Sequence, residues 1–222
     1  MGTSASDDDA IEFEELEACF IANADGFDER FGVETEKMRH DINYGAIRTS
    51  VFDEIIDSLQ IDLSQYVFVD IGSGKGKGLL LAAMRPFRSI IGVEFDADCC
   101  AIAGKNVAAA ATQIPNIDRV EIECMDAFEW VTQKWPAHKN VFVLMYFPFI
   151  DQAGAPYLNF FLLLGDALRA AKTNLILAFV NPMGGMEELL VELGFTKTGQ
   201  NKEPHGKLAS VLYSWKTFSL AS

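Results

Sequence analysis

The sequence predicts an α/β protein whose centre is a doubly wound, mostly parallel sheet of seven strands. Three observations predict it. Short apolar runs alternate with helix-like segments from about residue 66 onwards, a glycine-rich stretch follows the first run, and the last two runs have no helix between them. Short strands that are apolar at every position are typical of a parallel sheet with helices on both faces. The final two runs are joined only by a polar loop, so we expect a C-terminal antiparallel hairpin.

The predicted strands and helices divide the chain into two regions. Residues 1–60 are expected to form an acidic tail and a helical N-terminal cap, in which "RTSVFDEIIDSLQ" leads into the first strand. Residues 61–222 are expected to form the sheet domain, where segments such as "DADCCAIAGKNVAAAA" supply the helices. The predicted strands are residues 66–71, 89–94, 119–124, 140–147, 174–180, 195–200 and 208–218.

The charge and hydropathy of the chain limit the classes of partner that we expect it to bind. The net charge is −14, and residues 1–17 contain seven acidic side chains and no basic one. A surface of this charge repels phosphate backbones, so nucleic acid is an unfavourable partner. The longest apolar stretch, "VFVLMYFPFI", has ten residues, so we expect no membrane span.

The N-terminal sequence and the cysteines indicate the cellular compartment in which we expect the protein. "MGTSASDDDA" has neither the basic region nor the apolar core of a secretion signal. The four cysteines have neither the spacing of metal ligands nor the density of a disulfide scaffold. We therefore expect an intracellular, cytoplasmic protein, with the nucleus also open, and no bound metal. The cysteines are Cys19, Cys99, Cys100 and Cys124.

"DIGSGKGKG", residues 70–78, is the most informative stretch of the chain. Its four glycines lie where the first strand passes into a helix, which is the ligand-binding edge of an open parallel sheet. The stretch lacks the Gly-Lys-Ser/Thr ending of a P-loop. Lys77 stands where the third glycine of a dinucleotide fingerprint belongs, which disfavours an NAD-dependent oxidoreductase. Lys77 and the nearby Lys75 could meet a carboxylate, but we expect them to be solvated at the surface.

Acidic residues follow three successive strands at the same edge of the predicted sheet. Asp70 lies two residues before the first glycine, where a carboxylate would repel a pyrophosphate but suits a ligand with ammonium and sulfonium groups. Glu94 ends the second strand, where an acid can accept hydrogen bonds from both ribose hydroxyls. Phe95 could lie against an adenine face. Asp126 could accept a hydrogen bond from the adenine amino group, or could simply cap the next helix.

These motifs resemble those of the class I, seven-stranded S-adenosylmethionine-dependent methyltransferases. "VDIGSGKG" looks like their first motif, "GVEF" like their second acid, "MDAF" like their adenine-edge motif and "LMYFPF" like the segment after their fourth strand. The resemblance covers residues 42–218. It implies a Rossmann-like domain that binds S-adenosyl-L-methionine and releases S-adenosyl-L-homocysteine. By motif match the cofactor-binding residues are Asp70, Gly72, Ser73, Gly74, Gly76, Glu94, Phe95, Asp126 and Ala127.

A weaker likeness links "NYGAIRTSVFDEIIDSL" to the seven-stranded histone lysine methyltransferases. It implies that Tyr44 and Thr49 lie near the cofactor. The likeness fails after the fourth strand, where those enzymes have paired asparagines and this chain has Tyr146, Phe147 and Pro148. These five residues are the candidate substrate pocket, and no catalytic residue is assigned.

The identity of the methyl acceptor is the least constrained prediction. A protein lysine is the favoured acceptor, because the tail is acidic and tyrosines flank the expected pocket. A small molecule is the alternative acceptor. A cofactor-binding scaffold without activity is the alternative that involves no catalysis.

Overall fold

A computed structural model gives the fold and describes residues 25–36, 45–146, 155–180, 186–202 and 208–215. The described residues form a seven-stranded sheet with the strand order β3-β2-β1-β4-β5-β7-β6. The sheet confirms the predicted doubly wound, mostly parallel arrangement. Its strands are β1 (Val67–Ile71), β2 (Ser89–Glu94), β3 (Val120–Cys124), β4 (Asn140–Tyr146), β5 (Asn174–Val180), β6 (Thr196–Lys202) and β7 (Leu208–Trp215).

Helices connect the parallel strands and precede the first of them. Two short 3-10 turns, Leu63–Gln65 and Ile117–Arg119, lie just before β1 and β3. The helices are α1 (Phe27–Phe31), α2 (Thr49–Asp57), α3 (Lys77–Ala83), α4 (Ala97–Ala110), α5 (Ala127–Gln133), α6 (Ala155–Ala171) and α7 (Met186–Glu192). None of the helices in the described ranges is long and apolar enough to cross a membrane.

The register of the strands determines which edge of the sheet can bind a ligand. β1 pairs in parallel with β2 and with β4, so the strand order reverses beside β1. Side chains at the carboxyl ends of these strands therefore meet at a topological switch point, where open α/β sheets bind their ligands. At the other side of the sheet, β7 runs antiparallel between β5 and β6, as the predicted C-terminal hairpin requires.

The two faces of the sheet are covered by separate apolar cores. Alternate residues of β1 point to opposite faces, so Val69 belongs to one core and Phe68 to the other. The Phe68 ring stacks on Phe142 of β4 with centroids 5.6 Å apart. On the opposite face, Trp130 of α5 and Phe161 of α6 pack over the sheet. Burial on both faces explains why the strands of the sequence are apolar throughout.

The described N-terminal residues complete the second core. Phe27 and Phe31 of α1, and Phe52 and Ile55 of α2, are all buried in the same cluster as Phe68. These helices therefore pack directly on the sheet. Residues on both sides of position 60 contribute to this core. The division of the chain at residue 60 stays a prediction.

Two lysines of the glycine loop hold the N-terminal segment in place, and the expectation that they are solvated is wrong. Lys75 and Lys77 are both buried. The Lys77 ammonium lies 2.9 Å from Asp25 and 2.6 Å from Glu36, and the Lys75 ammonium lies 3.4 Å from Glu34. The partners of each lysine are 41 or more residues away along the chain, so local sequence did not reveal them.

Asp25 joins this ion-pair cluster to the start of α2. Its Oδ2 atom accepts a hydrogen bond of 2.6 Å from the Thr49 N–H, while Oδ1 faces Lys77. Burial works to raise the pKa of Asp25, but hydrogen bonds with Glu36, with the Thr49 N–H and with Lys77 hold that pKa well below its usual range. Asp25 is therefore an anion at neutral pH, and the cluster is ionic.

Replacing Lys77 by methionine should loosen residues 25–36. Methionine keeps the packing over Phe27 but leaves Asp25 and Glu36 facing each other without a cation, and breaking a buried ion pair costs roughly 3–5 kcal/mol. We expect faster hydrogen exchange in residues 25–36 and a lower free energy of unfolding in urea.

The matched control for this substitution is Lys134→Met. Lys134 pairs with Glu123 at 2.6 Å, but half of the lysine side chain is exposed, so its loss should cost only about 0–1 kcal/mol. Equal effects of the two substitutions would show that the Lys77 cluster does not anchor the N-terminal segment.

Candidate functional site

The glycine loop folds back onto the carboxyl end of β2. Three successive backbone N–H groups of the loop donate hydrogen bonds to this strand. Those of Gly72 and Ser73 reach the Val93 carbonyl oxygen at 2.9 and 3.0 Å, and that of Gly74 reaches Oε2 of Glu94 at 2.8 Å. The loop between β1 and α3 is thus fixed by the neighbouring strand.

The glycines of the loop are needed for its shape. Gly72, Gly74 and Gly76 have φ angles of 74°, 53° and 86°, in the left-handed region that favours glycine. Gly78 meets a different requirement, since a Cβ atom there would overlap the carboxylate of Asp70. The first three glycines therefore allow the turn, and Gly78 leaves room for the buried carboxylate of Asp70.

Asp70 is a buried carboxylate that no described residue compensates. Burial, and then the negative charge of Glu94, raise the pKa of Asp70 to about 7, and no hydrogen bond from a described residue offsets them. The nearby Ser73 hydroxyl is also buried and has no hydrogen-bond partner among the described residues. A buried polar group usually has a partner, so this pair of groups fits a ligand with a cationic, hydrogen-bonding end.

In Glu94, in contrast, each carboxylate oxygen accepts one hydrogen bond from a backbone N–H group. Besides the bond from Gly74, its Oε1 atom accepts the Asp96 N–H at 2.8 Å. Asp96 in turn caps α4 by accepting the Cys99 N–H at 2.7 Å. Each Glu94 oxygen retains a second lone pair, so the carboxylate can still accept hydrogen bonds from a ligand while it fixes the loop.

Phe95, Asp126 and Ala127 lie at the carboxyl ends of β2 and β3. Phe95 is 73% exposed, which is unusual for so large an apolar ring. Asp126 caps α5, with its Oδ1 atom accepting N–H bonds from the first turn at 2.8 and 3.2 Å. Its Oδ2 atom makes no hydrogen bond with the residues that the structure describes. Ala127 is the first residue of α5 and packs against the core.

Only part of the predicted substrate pocket lies within the described residues. Thr49 begins α2 and is joined to the glycine loop through Asp25 and Lys77, and Tyr146 is the last, half-buried residue of β4. Tyr44, Phe147 and Pro148 lie outside the described residues. Within the described ranges, no group of three or more potential metal ligands comes together.

Sequence reasoning missed a pair of cysteines beside this site. Cys100 and Cys124 form a disulfide with their Cα atoms 5.9 Å apart. The two residues are 24 positions apart and meet only because Cys124 lies opposite Glu94 in the β2–β3 register. The register could be predicted only roughly from the sequence, so the pairing could not be predicted from spacing.

Comparison with known proteins supports the fold. No protein-family model and no curated protein sequence matches the chain. Solved structures do match it. The N-terminal domain of human METTL16 in complex with SAH is 15% identical, with a TM-score of 0.58 over 93% of this chain and 84% of that one. The human methyltransferase 10 domain containing protein is 14% identical, with a TM-score of 0.57 over 93% and 100%.

A bacterial structure matches in the same way. The putative methyltransferase yhhF from Escherichia coli is 19% identical, with a TM-score of 0.53 over 76% of this chain and 87% of that one. The second and third of these proteins are methyltransferases by name, and the first was solved in complex with SAH. The chain therefore has the Rossmann-like fold of the class I S-adenosylmethionine-dependent methyltransferases, as the motifs indicated.

The raised pKa of Asp70 predicts a pH-dependent stability. Folding raises this pKa from 3.8 to about 7, so Asp70 lowers the free energy of unfolding progressively as the pH rises from about 4 to about 7. Asp70→Asn replaces the carboxyl by a neutral amide. We expect the melting temperature of the variant, without ligand, to equal that of the parent protein near pH 4 and to exceed it by several degrees above pH 7.

The control is Asp126→Asn, which changes an exposed acid at the same edge of the sheet. Its melting temperature relative to the parent protein gives the effect of removing a carboxylate that is exposed rather than buried. A difference between Asp70→Asn and the parent protein that stays constant from pH 4 to pH 8 would contradict the raised pKa of Asp70.

Proposed function

We propose that this protein is an S-adenosylmethionine-dependent methyltransferase. The observation that carries the proposal is the buried, uncompensated Asp70 carboxylate beneath the glycine loop. An ammonium group placed there would give this carboxylate a partner that the described residues do not supply, and would stabilise its charged form. The fold and the methyltransferases that share it support the same activity.

The residues at the three strand ends fit the parts of the cofactor. We assign Asp70, Ser73 and the loop glycines Gly72, Gly74 and Gly76 to its amino-acid end, and Glu94 to the ribose. The exposed ring of Phe95 could be covered by the adenine, which would remove apolar surface from water. The Oδ2 atom of Asp126, which makes no hydrogen bond with the described residues, and the adjacent Ala127 would meet the adenine edge.

The reaction needs little acid–base catalysis from the protein. The cofactor, when bound, would supply a methyl group on a sulfonium, and the neutral thioether that remains after transfer is a good leaving group in an in-line displacement. The protein then has to hold the acceptor in line and exclude water. Thr49 and Tyr146 are the described residues that we assign to the acceptor side, and we assign no general base.

An NAD-dependent oxidoreductase is the competing enzyme class. Lys77 argues against it, because its buried side chain is committed to Asp25 and Glu36 and occupies the position of the third fingerprint glycine. Asp70 argues against it as well, since a buried acid beneath the loop repels a pyrophosphate. In a thermal-shift assay S-adenosylhomocysteine should raise the melting temperature of the protein and NAD should not.

Glu94→Gln tests the proposed ribose contact. A neutral amide has one acceptor oxygen in place of two charged ones, so it loses charge-assisted hydrogen bonds worth roughly 1.5–3 kcal/mol each. We expect S-adenosylhomocysteine to bind about ten- to a hundredfold more weakly by calorimetry. The melting temperature without ligand should also fall, because Glu94 holds the N–H groups of Gly74 and Asp96.

Glu121→Gln is the matched control, since Glu121 is an exposed acid on the neighbouring strand β3. It should bind S-adenosylhomocysteine as the parent protein does. Unchanged affinity in Glu94→Gln would remove Glu94 from the site, and absence of binding in the parent protein would overturn the proposed function.

For the acceptor we propose the side chain of a protein lysine. The net charge of −14 favours encounter with a basic partner. Tyr146 at the end of β4, and Tyr44, which the motif likeness assigns to the same pocket, could contact an ammonium group through cation–π interactions. A small apolar acceptor is the alternative, favoured by the apolar residues that follow Tyr146 in the sequence.

Methylation of mixed histones and of cell lysate by the protein, with a labelled methyl donor, distinguishes these acceptors. For a basic protein acceptor we expect labelled protein bands whose intensity falls steeply between low and high salt, because screening weakens the attraction. A truncated chain lacking residues 1–17 should show a weaker salt dependence. Labelled small-molecule extracts with no labelled protein band would exclude the lysine assignment.

A further inference from the structure

Cys100 and Cys124 lie at the edge of the site that we assign to the adenosine part of the cofactor. Cys124 is the last residue of β3 and pairs in register with Glu94, the last residue of β2. Cys100 is in the first turn of α4, directly after the loop that follows Glu94. Their disulfide therefore joins the first turn of α4 to the end of β3, next to the loops that carry Phe95 and Asp126.

Backbone contacts connect this disulfide closely to Glu94. The Met125 N–H, next to Cys124, donates to the Glu94 carbonyl oxygen at 2.9 Å. The Sγ atom of Cys100 lies 3.4 Å from the same oxygen. The Glu94 carboxylate in turn holds the Gly74 N–H of the glycine loop. Forming or breaking the bond between the two sulfur atoms should therefore affect Glu94, the proposed ribose contact, and Met125, the neighbour of Asp126.

The two cysteines are also accessible to a redox partner. Cys124 is exposed and Cys100 is half-buried, whereas the adjacent Cys99 is buried in the core. The pair is therefore unlike a structural disulfide of a protein core. A solvent-accessible pair with this Cα separation can close and reopen without backbone rearrangement.

We propose that Cys100 and Cys124 form a reversible dithiol–disulfide site that controls cofactor affinity. The affinity part of this inference rests on the proposed function. In the reduced protein, the thiolate of Cys124 attacks one sulfur of a glutathione-type disulfide and releases one low-molecular-weight thiolate. The thiolate of Cys100 then displaces the second, closing the protein disulfide. Two electrons and two protons pass from the cysteine pair to the small disulfide.

The disulfide should raise the affinity for the adenosine part of the cofactor. It restricts the separation of the β2 and β3 loops, so less conformational entropy is lost when Phe95 and Asp126 become ordered around a ligand. We expect S-adenosylhomocysteine to bind about three- to tenfold more tightly to the oxidised protein than to the reduced protein.

The experiment compares the full chain equilibrated with glutathione disulfide and the same chain reduced with a phosphine. Peptide mapping by mass spectrometry should find Cys100 linked to Cys124 only in the oxidised sample. Hydrogen exchange of the Met125 amide should be slower in that sample, and this measurement needs no ligand. Calorimetry with S-adenosylhomocysteine then measures the affinity of each state.

Two variants make the comparison specific. Cys124→Ser should bind S-adenosylhomocysteine equally in both redox conditions, with the affinity of the reduced parent protein. Cys99→Ala changes the neighbouring buried cysteine and should keep the full redox effect. A redox effect that persists in Cys124→Ser would overturn the assignment.

The outcomes separate this inference from the proposed function. A Cys100–Cys124 pair that stays reduced in the glutathione mixture, or an affinity that is the same in both states, overturns the inference. Absence of S-adenosylhomocysteine binding in both states overturns the proposed function and the affinity effect. In that case the peptide map and the Met125 exchange rate still decide whether the redox site exists.

Discussion

The site depends on three hydrogen bonds that attach the glycine loop to the end of β2. The N–H groups of Gly72, Ser73 and Gly74 all donate to this strand, through the Val93 carbonyl and the Glu94 carboxylate. These bonds are made within the protein, so they hold the left-handed glycines in one conformation before any ligand arrives. A loop that is ordered in advance loses less entropy on binding, which raises affinity without any new contact.

The two acids beside the loop differ in how the protein compensates their charges. Glu94 has two backbone N–H partners, so its charge stabilises the loop. Asp70 has no described partner, and its burial next to Glu94 opposes the folded state at neutral pH. A residue that weakens the apo protein in this way is typical of a binding site, where the missing partner comes from the ligand.

Most of the fold could be predicted from the sequence, because buried parallel strands are apolar at every position. All seven strands were predicted to within three residues at each end, and the glycine loop lies, as predicted, at the topological switch point beside β1. Contacts between distant residues could not be predicted. The burial of Lys77 depends on Asp25 and Glu36, and the disulfide depends on the β2–β3 register. The adenosine contacts stay predictions, since the motif supplies them.

The two ends of the proposed site are fastened by different chemistry. On the acceptor side, the Asp25 carboxylate contacts both the Thr49 N–H and the Lys77 ammonium, so it links the start of α2 to the start of α3. That connection is ionic. On the adenosine side, the connection between the β2 and β3 loops is covalent, through Cys100 and Cys124. Acid or a charge substitution would therefore loosen the acceptor side first, whereas a reductant would loosen the adenosine side and leave the ion pairs intact.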